Sequence, residues 1–340
     1  MKPLRSRILP LACLSAAILS GVASAQTTAT TTPVGFVTVT IPAAVNSTTP
    51  SNAAISVPLY GTAAFQGTIA SVDSSNAFSL SGAAFTASQY SSSTSPYFVR
   101  IMSGTSVGRF FLISANTATQ LTVNTSGADL TTLLSVGDSA QIVPANTLGS
   151  LFGSTAPGFL TAASAIGADN VYLWNGTTWE LYFNNGTHWL KSGNLNPNLD
   201  STIIYPDEGI FISRHDTSGP LTITLMGTVP STTEQSELAG AGSSFLPNRF
   251  PLDTQLVNLG LQNSPNWKAG ASASQADNVY VWNTANSTWE VYFYTGAHWQ
   301  KSGNLNPNLD ATVISAGTSV FVTRSSASQT LLSQSLPYTP

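Results

Sequence analysis

The sequence predicts an all-β protein: a small N-terminal β-barrel or sandwich domain followed by two tandem copies of a β-rich module. Three observations carry that reading. Apolar and polar residues alternate over short runs separated by Gly, Asn and Ser clusters, the period-two signature of strands. Helix signals are almost absent; Thr147 to Phe152 and Thr254 to Leu259 are the best two, the latter with Asp253 as N-cap. Finally, Lys191-Ser-Gly-Asn-Leu-Asn-Pro-Asn-Leu-Asp200 recurs unchanged as Lys301 to Asp310. Around this decapeptide, Ala168-Asp-Asn-Val-Tyr-Leu-Trp174 matches Ala276-Asp-Asn-Val-Tyr-Val-Trp282, Trp179-Glu-Leu-Tyr-Phe183 matches Trp289-Glu-Val-Tyr-Phe293, and Arg214 matches Arg324. Two copies are too few for a solenoid, so tandem or mutually packed domains are expected.

Residues 1–25 read as a secretory signal peptide. Lys2, Arg5 and Arg7 precede an apolar run from Ile8 to Val22, and Ala23-Ser-Ala25 is a small-residue cleavage site, so the exported chain is expected to start at Gln26. The destination is the periplasm, the outer surface or the exterior. The only cysteine, Cys13, lies in the signal, which leaves no disulfide or thiol chemistry; a lipoprotein reading is disfavoured because Pro10 and Leu11 precede Ala12 where a leucine-first lipobox is needed.

Residues 26–33 are Thr-rich without periodicity and read as a disordered linker. Residues 34–146 form the expected N-terminal β domain, with strands at Phe36 to Ile41, Ile55 to Leu59, Phe65 to Val72, Leu121 to Val123 and Ala140 to Val143. Its clearest hairpin is Tyr97 to Met102 turning into Arg109 to Ile113. Repeat module 1 spans 147–230, a connecting segment 231–254, and repeat module 2 spans 255–340. The match ends with Pro230 over Pro340, so no anchor or sorting tail is expected after it. Within a module, Val171 and Leu173 point away from Tyr172 and Trp174, as Trp179, Leu181 and Phe183 do from Glu180 and Tyr182. Both faces are largely apolar or aromatic, which implies a sandwich or small closed barrel.

Composition excludes several function classes. Lys and Arg number 11 against 15 Asp and Glu, three of the bases sit in the signal, and no basic cluster exists to follow phosphates, so nucleic acid is not an expected partner. No apolar stretch after the signal is long enough to span a membrane as a helix. Charged residues are only 8% of the chain, so the surface is solvated by neutral polar groups.

No residue rises to a catalytic signature, and no cofactor is expected. Gly104-Thr-Ser106-Val-Gly108 matches G-x-S-x-G, with Asp169 and His188 following in hydrolase order, but a nucleophile elbow needs a helix after the turn and Arg109 to Ile113 reads as a strand. Asp169/Asp277, Glu180/Glu290, His188/His298 and Lys191/Lys301 occur in both copies; a carboxylate pair among them would suit glycosidic chemistry. Residues present twice more often solve one structural problem twice, so hydrogen bonds and ion pairs are favoured. Asn194, Asn196, Asn198 and Asp200, with Asn304, Asn306, Asn308 and Asp310, alternate like calcium ligands, yet each set has one carboxylate and lacks the closing bidentate acid. A turn with Leu195, Pro197 and Leu199 packed inward is the favoured alternative. One shared histidine per module is too few for a metal site.

Six of the seven tryptophans pair across the repeats: Trp174/Trp282, Trp179/Trp289 and Trp189/Trp299. They either fill the core or form a sugar platform. His188-Trp189 and His298-Trp299, after Gly-containing turns and followed by Lys191 and Lys301, are the candidates for exposed ligand contacts.

The motifs Ser56-Val-Pro-Leu59, Ala64-Phe-Gln-Gly67, Ile101-Met-Ser-Gly104 with Gly108-Arg-Phe110, Ala115-Asn-Thr117, Gly137-Asp138, Thr147-Leu-Gly149 and Phe321-Val-Thr-Arg324 resemble a group of exported, paralogous bacterial proteins of unassigned function. The resemblance covers nearly all of the chain after the signal. It implies secretion and a β-rich fold, and it assigns no site residue. The leading expectation is a secreted, non-enzymatic structural or adhesive β protein whose partners are extracellular glycans or envelope proteins. Carbohydrate binding through the aromatic pairs is the alternative, and a glycan-active enzyme comes third. Exposed tryptophans would favour sugar binding, and buried ones the structural role.

Overall fold

The computed structural model describes residues 33–339 except Ser47, Asn196, Leu305, Asn306, Ser326 and Ala327. The expected signal and its cleavage at Gln26, Cys13, the linker up to Thr32, and the calcium candidates Asn196 and Asn306 lie outside the described residues. The fold is all-β. Pro33, assigned to the linker, already belongs to a ribbon, since its carbonyl accepts from Val229 N at 2.9 Å.

The chain begins with β1 (Val34–Ile41) and β2 (Ser51–Ile55). A closed six-stranded barrel follows: β3 (Phe65–Ser74), β4 (Ala77–Leu80), β5 (Tyr97–Ile101), β6 (Phe110–Asn116), β7 (Gln120–Asn124) and β8 (Ser139–Pro144), with the one-turn helix α1 (Leu130–Leu133) between the last two. Ile69, Phe78, Val99, Ile113, Leu121 and Ile142 fill it. Alternation explains the closure: each strand sends every second side chain inward, and closing the sheet removes edges that would otherwise remain unpaired.

After the barrel come β9 (Asn146–Thr147), the helix α2 (Leu148–Phe152), β10 (Asn170–Trp174), β11 (Trp179–Asn184), β12 (Trp189–Lys191), β13 (Ile203–Ile204), β14 (Ile210–Arg214) and β15 (Leu221–Thr228). A second series consists of β16 (Glu234–Leu238), β17 (Gly242–Pro247), β18 (Thr254–Gln255), a 3-10 turn over Leu256–Leu259, β19 (Asn278–Asn283), β20 (Thr288–Tyr294), β21 (Trp299–Lys301), β22 (Val313–Ile314), β23 (Ser319–Arg324) and β24 (Thr330–Gln334). The sheets β12-β11-β10-β14-β2 and β21-β20-β19-β23-β17 have the same strand order, and ribbon β1-β15 corresponds to β16-β24.

Sheet pairing therefore departs from the boundaries drawn on sequence. β1 and β2, placed in the N-terminal domain 34–146, pair with β15 and β14 of the first copy, and the barrel is inserted after β2. Likewise 231–254, read as a connecting segment, supplies β16 to the ribbon with β24 and β17 to the second five-stranded sheet. The reason is that Ser51-Asn-Ala-Ala-Ile55 and Gly242-Ser-Ser-Phe-Leu246 share pairing positions with little side-chain identity, so the duplication fades there in sequence while register keeps it in space. The strand expected to run from Ile55 to Leu59 ends at Ile55, because Pro58 lacks the N–H a ladder needs.

Of the two helix signals, Thr147 caps α2 through a reciprocal pair with Ser150. Asp253 does not cap the second: its Oδ1 accepts from Ala316 N at 2.8 Å, and Gln255 occupies the cap position without a side-chain bond.

Each five-stranded sheet buries one face in its own core, with Val171, Ile212 and Trp189 in the first copy and Val279, Val322 and Trp299 in the second. The other faces meet each other reciprocally. Trp174 Nε1 donates to Ser243 O at 3.1 Å and its counterpart Trp282 Nε1 to Asn52 O at 2.8 Å. Trp179 stacks on Phe321 at 5.7 Å, and Trp289 stacks on Phe211 at 5.7 Å. Residue i meets j and j meets i, the mark of an isologous, two-fold contact.

Candidate functional site

The duplicated polar residues resolve into internal bonds. Asp169 accepts from Leu160 N (2.9 Å), His215 N (2.6 Å) and Arg214 Nη1 (2.7 Å), while Arg214 also binds the carbonyls of Gly158 and Gly219. Asp277 accepts from Lys268 N and Ser325 N, and Arg324 reaches the carbonyls of Ala239 and Pro265. In each copy a buried carboxylate and guanidinium pin the loops leaving the sheet, where an unpaired buried charge would be costly. Glu180 pairs with Lys191 and Glu290 with Lys301, both at 2.8 Å. Those lysines, followed by the Tyr182 hydroxyl for Glu180 and by the Asn283 amide and Tyr292 hydroxyl for Glu290, hold the two carboxyls below their ordinary range. His188 bonds the neighbouring Thr187 hydroxyl and His298 the Gln300 amide.

Trp189 and Trp299, expected as exposed ligand contacts, are both 0% exposed. They point to the inner face because each lies opposite the residue after its Phe, Asn184 or Tyr294, on the side of Tyr182 and Tyr292. Trp189 packs on Phe152 and Phe159, and Trp299 on Trp267 and Tyr294. The expected exposure of Trp189 and Trp299 is therefore corrected to a packing role, while beside them Lys191 and Lys301 hold the ion pairs and His188 and His298 the local bonds to Thr187 and Gln300.

The calcium pattern has another use as well. Asp200 Oδ1 accepts from Trp189 N and Asp310 Oδ1 from Trp299 N, each at 2.8 Å, and Asn198 and Asn308 cap the aspartate amides at the same distance. The carboxylates are spent on the backbone, and among the described residues no cluster of three or more His, Cys, Asp or Glu could hold a metal ion. Ser106 of the G-x-S-x-G match lies in the hairpin between β5 and β6 and donates to Leu133 O at 2.6 Å. Gly108 in that turn has φ +88°, and a Cβ there would lie 2.3 Å from Thr233 O, so only glycine lets the barrel approach the second copy.

Two constellations were not visible in the sequence, both where the barrel meets the repeats. Glu234 is fully buried and accepts from Arg100 of the barrel, from Arg249, and from the Tyr60 hydroxyl at 2.5 Å. Arg100 lies over the Tyr60 ring at 3.6 Å. Burial raises the Tyr60 hydroxyl to about 12. Residues from three separate stretches converge there, so no spacing rule marks them.

Beside it opens a cleft of about 530 Å³. Arg109 and Phe110 of the barrel form one wall, Tyr205, Asp207 and Glu208 of the β13–β14 turn another, and Gln235 and Glu237 of β16 a third. Burial pushes Glu208 up to about 8 and raises Asp207 and Glu237, so Glu208 holds a proton at neutral pH. Arg109 Nη1 and Gln235 Oε1 are buried without a hydrogen-bond partner among the described residues. The cleft combines donors, acceptors and aromatic surface in one concave site. These residues occur once, not twice, so the duplication does not mark them.

Among the described residues no helix is long and apolar enough to cross a membrane. Comparison with known protein families, with curated proteins and with solved structures returns no match.

Proposed function

We propose that this chain is an exported, non-enzymatic β protein with a structural or adhesive role in the cell envelope or exterior. The observation that carries the reading is that the duplicated side chains are consumed inside the fold: the Asp/Arg and Glu/Lys pairs bond loops and strands, and the tryptophans pack the cores or join the two sheets. Such a molecule is braced for rigidity. The test is cell fractionation with an antibody, alongside turnover assays on a panel of glycosides. The protein is expected in the envelope or medium with no turnover; hydrolysis by the wild type that disappears in Glu208→Gln would overturn the non-enzymatic reading.

A second reading, carbohydrate binding, is favoured by the cleft. A protonated Glu208 can donate to a hydroxyl, Asp207 and Glu237 can accept, and Tyr205 and Phe110 supply apolar ring surface. Its site is thus distinct from the tryptophan pairs. Polysaccharide pull-down lost in Glu237→Ala, with an unchanged melt, would support it.

A further inference from the structure

The two sheets meet through equivalent residues, with one pair of exceptions. Phe245 of β17 packs on Trp179 at 5.2 Å, Phe321 at 6.1 Å and Trp289 at 6.3 Å. Its counterpart by register is Ala54 of β2, since Ala54 lies opposite Phe211 as Phe245 lies opposite Phe321. Gly209, where a Cβ would come within 2.7 Å of the Phe245 ring, is matched by Ser319. The second copy thus provides a ring and the first a space. By the same symmetry, a ring at position 54 would meet Trp289, Phe211 and Trp179.

Those three side chains, with Tyr172, Asn52 and Ser213, line a cavity of about 190 Å³. An apolar cavity of about 150 Å³ accepts benzene, so this slot has room for one ring. Trp179 on its wall is 37% exposed, which opens the slot to solvent.

The chain also displays a ring without a pocket. Phe36 on β1 is 71% exposed, the only phenylalanine so exposed among the described residues. Met226, opposite it across the ribbon, and Val34 beside it are exposed too. In the second copy the outward face of the equivalent ribbon, Gln235, Glu237 and Leu331, forms a wall of the cleft against the barrel. In the first copy this face is open, and beyond its Thr38/Thr224 and Thr40/Thr222 pairs it ends in the apolar patch of Val34, Phe36 and Met226, a surface that association would remove from water.

We propose that Phe36 of one molecule seats in the aromatic slot of a second copy, against the rings that are the counterparts of those around Phe245. Ring and slot are different surfaces, so the contact is heterologous and propagates into an open chain of molecules unless it closes on itself. The proposal rests on the structural reading above and gives it a partner.

Sedimentation velocity of the full chain across a concentration series tests it. The weight-average mass is expected to rise with concentration, and Phe36→Ser or the slot-filling pair Ala54→Phe/Ser319→Gly is expected to weaken association about ten-fold or more, as loss of a buried anchor does. Mixing the two variants, one retaining the slot and the other the ring, should give a one-to-one pair that grows no further. If the slot-filled variant does not fold by near-ultraviolet circular dichroism, competition by N-acetylphenylalanine amide, which should dissociate the wild type and quench its tryptophan fluorescence, replaces that arm. A wild type that stays monomeric, association unchanged in Phe36→Ser, or a slot that takes a pyranoside in a monomeric chain would overturn the proposal. A monomeric chain still found in envelopes would leave the structural reading standing.

Discussion

Trp189 and Trp299 occupy equivalent positions, yet they are not bonded equally. Trp189 Nε1 donates to Gly153 O at 2.9 Å, whereas Trp299 Nε1 is buried without a partner among the described residues. Both rings contribute apolar burial, and truncating such a side chain to alanine costs about 3–5 kcal/mol. Replacement by phenylalanine separates the two contributions. Trp189→Phe loses packing volume and one of the two hydrogen bonds to the Gly153 carbonyl, which keeps only Ala156 N, so it should cost about 1 kcal/mol more than Trp299→Phe, where removal of an unsatisfied N–H offsets the lost volume. Urea titrations of the two variants check this, and equal losses would contradict it. The shared His before each tryptophan and the shared decapeptide after it do not separate them; the difference lies in the short helix α2 against the 3-10 turn that replaces it.

At the scale of the element, the decapeptide is a strand exit that folds back on its own strand. Leu199 N donates to Trp189 O at 2.9 Å while Asp200 accepts from Trp189 N, so both backbone groups of one tryptophan are satisfied by the end of its loop. The second copy repeats both bonds. A charged acceptor on a part-buried N–H contributes about 1.5–3 kcal/mol, so Asp200→Ala should destabilise by about that amount, and calcium added to the wild type should leave the melting temperature unchanged. A calcium-dependent rise abolished in Asp200→Ala would reverse the assignment. Strands β10 and β11 were legible because their alternation is strong and local. The pairing of β2 was not, because edge position in a sheet is set by a partner more than a hundred residues away.

For the whole molecule, the barrel and the two copies are tied by buried charge. Glu234 with Arg100 and Arg249 joins them where desolvation is complete, and Asp207, Glu208 and Glu237 face Arg109 and Tyr205 across the neighbouring cleft. The pH dependence follows from the raised carboxyls. Between the ordinary carboxyl range and about 8, folded Glu208 retains a proton that the unfolded chain has released, so the folded state binds more protons and stability falls as pH rises through that window, then levels off. Asp207 and Glu237 are shifted the same way and add to the slope. Glu208→Gln keeps the neutral shape and removes the titration. Its melting temperature should therefore fall less between pH 5 and pH 8 than that of the wild type, and an equal fall in both would show that another group governs the slope.

The sequence by itself determined the strand content, the duplication, and which side chains alternate between two buried faces, because these depend on period-two patterning and local turn chemistry. It left open whether the repeated tryptophans were core or platform, since an aromatic strand face looks the same whether water, a ligand or another sheet covers it. Tertiary structure decided that. It set the first copy's sheet against the second's, inserted the barrel between β2 and β9, and gathered Tyr60, Arg100, Glu234 and Arg249 into one buried cluster. Those outcomes depend on contacts between distant segments, where the complementarity of two surfaces, and not the pattern along one strand, selects the partner.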